Sequence, residues 1–202
     1  MLFGLLLVVR FFVVPSNMIA DKPTATSLGQ RQAMASEVPL LAEFSSLAYP
    51  LAHSKLVGIY FAAAWCPVST PVTEMINTYL GETLLRPPES SSHVGSGTKT
   101  GLVDMSLVYV SSDRSQEAFD HYLGTHWIAI PYADEPQRTS LKKHFRVCAK
   151  PEKERLGVDR KAGIPSLIIV NSETQEVLTS HGEDDLEEYK DKAVDYWLGL
   201  RT

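Results

Sequence analysis

The sequence has 202 residues, of which 44% are hydrophobic and 21% are charged, and its net charge is -5. This balance is typical of one soluble globular domain with extensions, and the lack of a Lys/Arg cluster excludes nucleic acid as an expected partner. Because there are only two cysteines, Cys66 and Cys148, a disulfide-rich scaffold and a cysteine-rich zinc site are excluded as well.

The first 36 residues form an N-terminal extension with three possible roles. Residues 1–14 are nearly all apolar, interrupted by Arg10 and followed by Pro15. A helix needs about 20 apolar residues to cross a bilayer, so this stretch is too short for a typical span. The extension is a targeting or anchor segment, a partner-docking segment, or chain outside the folded domain. Membrane contact is expected only through residues 1–14.

A folded domain is predicted over residues 38–202, and it begins with alternating helices and strands. Apolar residues recur either at helical spacing or in the short continuous runs that buried strands have. Ser115 is the expected N-cap of one helix. These patterns predict strands over 56–62 and 105–110, and helices over 40–53, 71–85, 115–122 and 136–145.

The last third of the chain has a different order of elements. Strands over 166–170 and 176–179 are close enough to form a hairpin, and the acidic run 183–188 opens a final helix that reaches residue 198. Together with the first half, this order predicts an α/β fold with a central mixed β-sheet flanked by helices on both faces. Two insertions interrupt it: 86–101, which is rich in Pro, Ser and Gly, and 149–161, which is charged.

The chemistry of the sequence centres on Cys66. The run Ala64-Trp65-Cys66-Pro67-Val68-Ser69 directly follows a buried strand and directly precedes a helix, which Pro67 is expected to start. Near a helix N-terminus, unpaired backbone N–H groups and the helix dipole favour an anion. The position therefore predicts that the reactive thiolate of Cys66 is populated near neutral pH.

This run resembles the Trp-Cys-Pro-x-Cys active site of the thioredoxin superfamily, and further stretches resemble its nucleoredoxin and tryparedoxin branch. The resemblance covers roughly residues 40–182 and leaves out the N-terminal 35 residues and both insertions. It implies a thioredoxin fold. The matching stretches are Tyr60-Phe61-Ala62-Ala63-Ala64-Trp65-Cys66-Pro67, Val110-Ser111-Ser112-Asp113-Arg114-Ser115-Gln116-Glu117-Ala118-Phe119, Trp127-Ile128-Ala129-Ile130-Pro131-Tyr132 and Gly163-Ile164-Pro165-Ser166-Leu167.

The resemblance also implies roles for four residues. Cys66 matches the nucleophile, and Trp65 matches the tryptophan that shields the sulfur and contacts partners. Pro165 matches a proline that is cis in this family and packs beside the sulfur. Ser69 stands where the dithiol enzymes have their second, resolving cysteine, and its hydroxyl is expected to donate a hydrogen bond to the thiolate.

A serine cannot displace a mixed disulfide, so Cys66 would need an external thiol, such as glutathione, as co-reductant. A disulfide needs Cα atoms within about 7 Å, and Cys148 is not expected to lie that close to Cys66. Cys148 is therefore expected to be a free structural or loop cysteine. His144 is four positions from Cys148, but with so few cysteines and no tight histidine cluster we predict no metal site. No bound cofactor is predicted.

Two hypotheses of function follow. The first is a monothiol thiol–disulfide oxidoreductase that acts through Cys66 on a protein disulfide. The second is a redox-inactive thioredoxin-fold subunit that binds an assembly partner, motivated by Ser69, the insertions and the extension. Few cysteines favour an intracellular setting, with the cytoplasm preferred and an organelle left open by the apolar N-terminus.

Overall fold

The computed structural model describes residues 44–84 and 102–201. The N-terminal extension 1–36, its possible membrane contact, and the insertion 86–101 therefore lie outside the described residues. Short 3₁₀ turns precede α1, α5 and α7. The regular elements are α1 (Ala48–His53), β1 (Ser54–Ala62), α2 (Ser69–Tyr79), β2 (Val103–Ser111), α3 (Gln116–Tyr122), β3 (Ile128–Ala129), α4 (Glu135–Phe145), α5 (Lys153–Leu156), β4 (Ser166–Asn171), β5 (Val177–Thr179), α6 (Gly182–Tyr189) and α7 (Ala193–Gly199).

The strands form one five-stranded sheet in the order β3-β2-β1-β4-β5. β1 pairs in parallel with β2, and β2 pairs in parallel with β3. On its other side β1 pairs antiparallel with β4, which forms an antiparallel hairpin with β5. The predicted mixed sheet is thereby confirmed. Because β1 and β2 are parallel, their carboxyl ends lie side by side at the same end of the sheet, where the turn that contains Cys66 begins.

Alternating side chains on the central strands fill two separate cores. Tyr60 of β1 and Tyr109 of β2 face the core that α2, α3, α6 and α7 cover. Phe61 and Val110, one position further along each strand, face the core beneath α1 and α4. Because successive strand residues point to opposite faces, an unbroken apolar run is what a sheet buried on both sides requires. The predicted helices on both faces are confirmed.

Several helix boundaries agree with the sequence. The Ser115 hydroxyl accepts a hydrogen bond from the Ala118 N–H, which confirms the predicted N-cap of α3. Asp134 caps α4 in the same way through the Gln137 N–H. Capping satisfies backbone donors that have no partner within the first helical turn.

Several local features differ from the predictions. The described part of the helix predicted over 40–53 is α-helical only from Ala48, and the helix predicted over 71–85 ends at Tyr79. α2 begins at Ser69 and not at Pro67, so Cys66 lies three residues before the helix. The final helix is not continuous: α6 ends at Tyr189, and Lys190 has φ 53°, which no right-handed helix accommodates. The two-residue strand β3 was not predicted, because a strand this short carries no periodicity.

The charged insertion 149–161 has regular structure. Its 3₁₀ turn Lys150–Glu152 leads into α5, and Leu156 and Val158 pack with Cys148 in a small buried cluster. Within residues 44–84 and 102–201, no helix has the length and apolar character needed to cross a membrane.

Candidate active site

Cys66 lies in a tight turn that joins β1 to α2. Its N–H donates to the carbonyl of Ala63 at 3.0 Å, and its own carbonyl accepts from the Ser69 N–H at 2.9 Å. These two bonds fix the backbone on both sides of the sulfur. The side chain is 7% exposed, while the following residues Pro67 and Val68 are exposed. The sulfur is therefore close to the surface but largely covered.

The structure brings Cys66 and Pro165 together. The Cys66 thiol donates a weak hydrogen bond to the carbonyl oxygen of Ile164, with Sγ 3.8 Å away. The Ile164–Pro165 peptide bond is cis, as the resemblance implied. The Ser166 hydroxyl donates to the Gly163 carbonyl at 2.7 Å and closes this turn at the start of β4. Residues almost 100 positions apart thus form one side of the site.

Trp65 is held against the loop that follows β2. Its indole N–H donates to the carbonyl of Ser112 at 2.8 Å, and the Arg114 guanidinium lies over the ring, 4.7 Å from its centroid. The side chain is half-buried. A guanidinium over an aromatic face is attracted by the ring electrons, so Arg114 adds to the hold on Trp65.

Asp113 organises the same loop, and sequence reasoning did not single it out. Its carboxylate accepts from the Ala64 N–H at 2.7 Å, from the Tyr109 hydroxyl at 2.7 Å and from the Ser111 hydroxyl at 2.6 Å. The bond to Ala64 ties the loop after β2 to the turn before Cys66. Burial, and then the charge of Asp113, raise the pKa of Tyr109, which keeps this phenol a donor.

Ser69 is fully buried at the start of α2. Its hydroxyl makes no hydrogen bond of ordinary geometry among the described residues, so the expected bond to the Cys66 thiolate stays a prediction. Its carbonyl accepts from the Tyr60 hydroxyl at 3.2 Å, and Thr73 links Tyr60 to Tyr122. Burial raises the pKa of Tyr122, while the hydroxyls of Thr73, Tyr60 and Ser69 act in the opposite direction. Protonated hydroxyls therefore lie beneath the helix start.

Cys148 is a free cysteine in the structure, as predicted. It is completely buried beside Leu156 and Val158. Burial, and then the nearby carboxylate of Glu152, raise the pKa of its thiol, which disfavours the reactive thiolate. Cys148 is a structural residue by this environment.

A polar cavity of about 350 Å³ opens beside Asp113. The charged groups along its wall are already engaged: Lys142 contacts Glu152 at 2.6 Å and Arg155 contacts Glu135 at 2.6 Å. Arg138 donates to the Pro131 carbonyl at 2.9 Å. Across residues 44–84 and 102–201, no group of three or more His, Cys, Asp and Glu side chains is arranged to hold a metal ion.

Comparison with known proteins agrees with this geometry. A family model described as "Thioredoxin-like" matches residues 54–176. Nucleoredoxin from Xenopus laevis is 34% identical over 127 residues, covering 62% of this chain and 23% of its own length. A probable nucleoredoxin 1 from Arabidopsis thaliana is 30% identical over 132 residues, covering 64% of this chain and 19% of its own length. The chain thus spans about a fifth of the length of these curated relatives.

A solved structure of tryparedoxin II complexed with glutathionylspermidine has the same fold. It superposes with a TM-score of 0.50 at 20% identity and covers 80% of this chain and 85% of its own. With the mixed sheet and the flanking helices, this likeness confirms the predicted thioredoxin fold. The chain belongs to the thioredoxin-like family.

Proposed function

We propose that this protein is a monothiol thiol–disulfide oxidoreductase whose nucleophile is Cys66. One observation carries the proposal: the Cys66 sulfur lies 3.8 Å from the Ile164 carbonyl, beside Pro165 and just before α2. The nucleoredoxin relatives support thiol–disulfide chemistry in general. Burial raises the pKa of the other thiol, Cys148, which disfavours Cys148 as the nucleophile.

The reaction has two exchange steps. In the first, the Cys66 thiolate attacks one sulfur of a substrate disulfide, forming a mixed disulfide and releasing the other substrate sulfur as a thiolate, which takes up a proton. In the second, an external thiolate attacks the mixed disulfide, frees the Cys66 thiolate and leaves as a disulfide with the remaining substrate sulfur. The second step needs an outside thiol because Ser69 offers only a buried hydroxyl.

The surface around the sulfur fits a protein substrate. Val68 is 61% exposed and Pro67 is exposed as well, and with Trp65 and Pro165 these residues would give Cys66 an apolar border. Such a border would contact the chain on either side of a protein disulfide, whereas glutathione or another small thiol would serve as co-reductant. Both cysteines are free, which supports a reducing intracellular setting for the proposed reaction.

The experiment that tests this proposal measures release of glutathione from a glutathionylated peptide, with reduced glutathione as the second thiol. We expect Cys66→Ser to abolish the protein-dependent rate and Cys148→Ala, the matched control, to keep it. A rate that survives in Cys66→Ser would overturn the proposal. Ser69→Cys supplies a resolving thiol one helical turn away, so this variant should also form an internal disulfide with Cys66.

A redox-inactive binding subunit is the second candidate function. The observation in its favour is that the Cys66 side chain is only 7% exposed, so that a disulfide substrate has limited access to the sulfur. This candidate predicts that the wild-type protein has no protein-dependent rate in the same assay. Partner binding would then use the exposed side chains beside Cys66, and Cys66→Ser would still bind.

A further inference from the structure

The charged segment, residues 149–161, reaches the loop that anchors Trp65 through Glu152. The Ser112 hydroxyl donates to Oε2 of Glu152 at 2.8 Å, and the Ala149 N–H donates to the same oxygen at 3.0 Å. The other carboxylate oxygen, Oε1, accepts from Nζ of Lys142 at 2.6 Å. One side chain therefore links the segment, α4 and the loop after β2.

Burial separates this contact from an ordinary surface ion pair. The side chains of Lys142 and Glu152 are 4% and 15% exposed, whereas Arg155 and Glu135, which pair nearby, are 58% and 60% exposed. Exposed pairs contribute little to stability because water competes for both charges. A buried pair has fixed geometry, and breaking it leaves a charge without a partner.

The neighbours of Glu152 stabilise its ionised carboxylate. Burial alone would raise the pKa of this carboxyl, but the Lys142 ammonium and the hydrogen bonds from Ser112 and Ala149 bring the pKa below its ordinary value. The carboxylate is consequently ionised at neutral pH. Ionised acceptors form the stronger class of hydrogen bond, so the bond from Ser112 is a firm one.

Ser112 in turn connects Glu152 to Trp65. The Ser112 N–H donates to the carbonyl of Ala62 at 2.9 Å, at the end of β1, and its carbonyl accepts from the Trp65 indole at 2.8 Å. Its side chain is the part that Glu152 holds. The loop residue that receives Trp65 is thus fixed by the sheet on one side and by the charged segment on the other.

We propose that Glu152 is a positioning residue that holds Trp65 beside Cys66 through Ser112. The charged segment then helps to position a residue of the site. This inference rests on the proposed function for its catalytic meaning, since Trp65 borders the proposed nucleophile. Its structural content is independent of turnover, because it concerns how firmly the loop holds Trp65.

Two variants of the full chain test the inference, with one matched control. Ser112→Ala removes the hydroxyl that reaches Glu152 and leaves the Lys142 pair intact. Glu152→Ala removes the contacts with Ser112, Ala149 and Lys142 together. Glu154→Ala, an exposed carboxylate in α5, is the control. Acrylamide quenching of fluorescence, compared with the Trp65→Phe form of each variant, isolates the Trp65 signal. We expect this quenching to increase in the first two variants and to remain unchanged in the control.

Alkylation of Cys66 by iodoacetamide provides a second measurement. Because Cys66 is nearly buried, its alkylation rate follows the population of loop-open molecules, and losing a hydrogen bond to an ionised acceptor should raise that population about tenfold. The double variant Lys142→Met/Glu152→Gln keeps an oxygen for Ser112 without the buried charges, and it should restore both readouts. Circular dichroism confirms which variants are folded.

The outcomes separate this inference from the proposed function. Unchanged Trp65 quenching and unchanged alkylation in folded Ser112→Ala would overturn the positioning role, whatever the protein's activity. If Glu152→Ala does not fold, Ser112→Ala and the double variant test the positioning role. Failure of the proposed function appears instead as a rate of glutathione release that does not depend on Cys66.

Discussion

Ser69 combines complete burial with a hydroxyl that makes no hydrogen bond of ordinary geometry in the part of the chain that the structure describes, although it lies close enough to the Tyr122 hydroxyl to affect the pKa of that phenol. A buried polar group without a partner costs about 1–3 kcal/mol because it has lost its bonds to water. A thiol at this position would be buried at lower cost, because sulfur is a weak hydrogen-bonding group. Position 69 therefore suits a less polar atom than a hydroxyl oxygen.

Removing this hydroxyl should not destabilise the protein. We expect Ser69→Ala to change the free energy of unfolding by between zero and about +2 kcal/mol, since the lost atom leaves only a small void. Ser111→Ala is the matched control: its hydroxyl donates to Asp113 at 2.6 Å, so its loss should lower stability by about 1–2 kcal/mol. Urea unfolding of both variants measures the difference. A clear loss of stability in Ser69→Ala would mean that the hydroxyl has a partner after all.

At the scale of single residues, the sequence predicted the approach of Cys66 to Pro165 but not the side chains that hold their surroundings in place. Cys66 and Pro165 could be paired in advance because both lie in recognisable stretches, and the structure brings them together. The roles of Asp113 and Glu152 depend on side chains meeting across the fold. No local pattern predicts that a carboxylate at position 113 will accept from the N–H of residue 64.

At the scale of elements, the break between α6 and α7 is the clearest departure from the predicted helices. Residues 183–198 have helical spacing with no Gly or Pro to mark an end, so the sequence favours one helix. In the structure both parts contribute to the same core, α6 through Leu186 and α7 through Trp197. The Trp197 indole donates to the Asp185 carboxylate at 3.2 Å and joins them. Tertiary packing therefore determines where the helix is interrupted, and the interruption places Lys190 in an unfavourable backbone conformation.

Lys190 is the residue to change in order to measure that cost. Its φ of 53° and ψ of -122° lie in a region that only glycine adopts freely. We expect Lys190→Gly to raise the free energy of unfolding by about 1 kcal/mol, because strain relief exceeds the added freedom of the unfolded chain. Lys192→Gly, two residues further on with an ordinary backbone, should instead lower it. Thermal unfolding of the two variants decides, and equal losses in both would contradict the assignment of strain.

At the scale of the whole molecule, the apolar runs of the central strands made the fold predictable. The continuous apolar runs of β1 and β2 indicate burial on both faces, and both faces are covered in the structure. The close approach of α6 to β4 was not predictable in this way. A Cβ at Gly182 would lie 2.7 Å from the Leu167 carbonyl oxygen, so the contact depends on glycine at this one point. That approach brings Glu183 within reach of the sheet.

Glu183 couples the stability of the whole fold to pH. Its carboxylate accepts from the Leu167 N–H at 2.9 Å, two residues after Pro165. Burial raises the pKa of this carboxyl, and the bond from Leu167 offsets only part of that effect. The folded protein therefore retains the proton at pH values where the unfolded chain has already released it. By linkage, the free energy of unfolding falls as pH rises from the ordinary glutamate range through the folded pKa.

Glu183→Gln removes this titration and keeps an oxygen for the Leu167 N–H. We expect its stability to decline less with pH than that of the wild type, and to differ from it at neutral pH by about 1 kcal/mol or less. Glu183→Leu should also show the flatter curve but lose about 1–3 kcal/mol throughout, because the Leu167 N–H is left unpaired. Glu187→Gln, an exposed glutamate of α6, should keep the wild-type slope. Urea unfolding from about pH 4 to pH 8 covers the range in which carboxyl groups titrate. A wild-type slope in Glu183→Gln would assign the pH dependence to a different group.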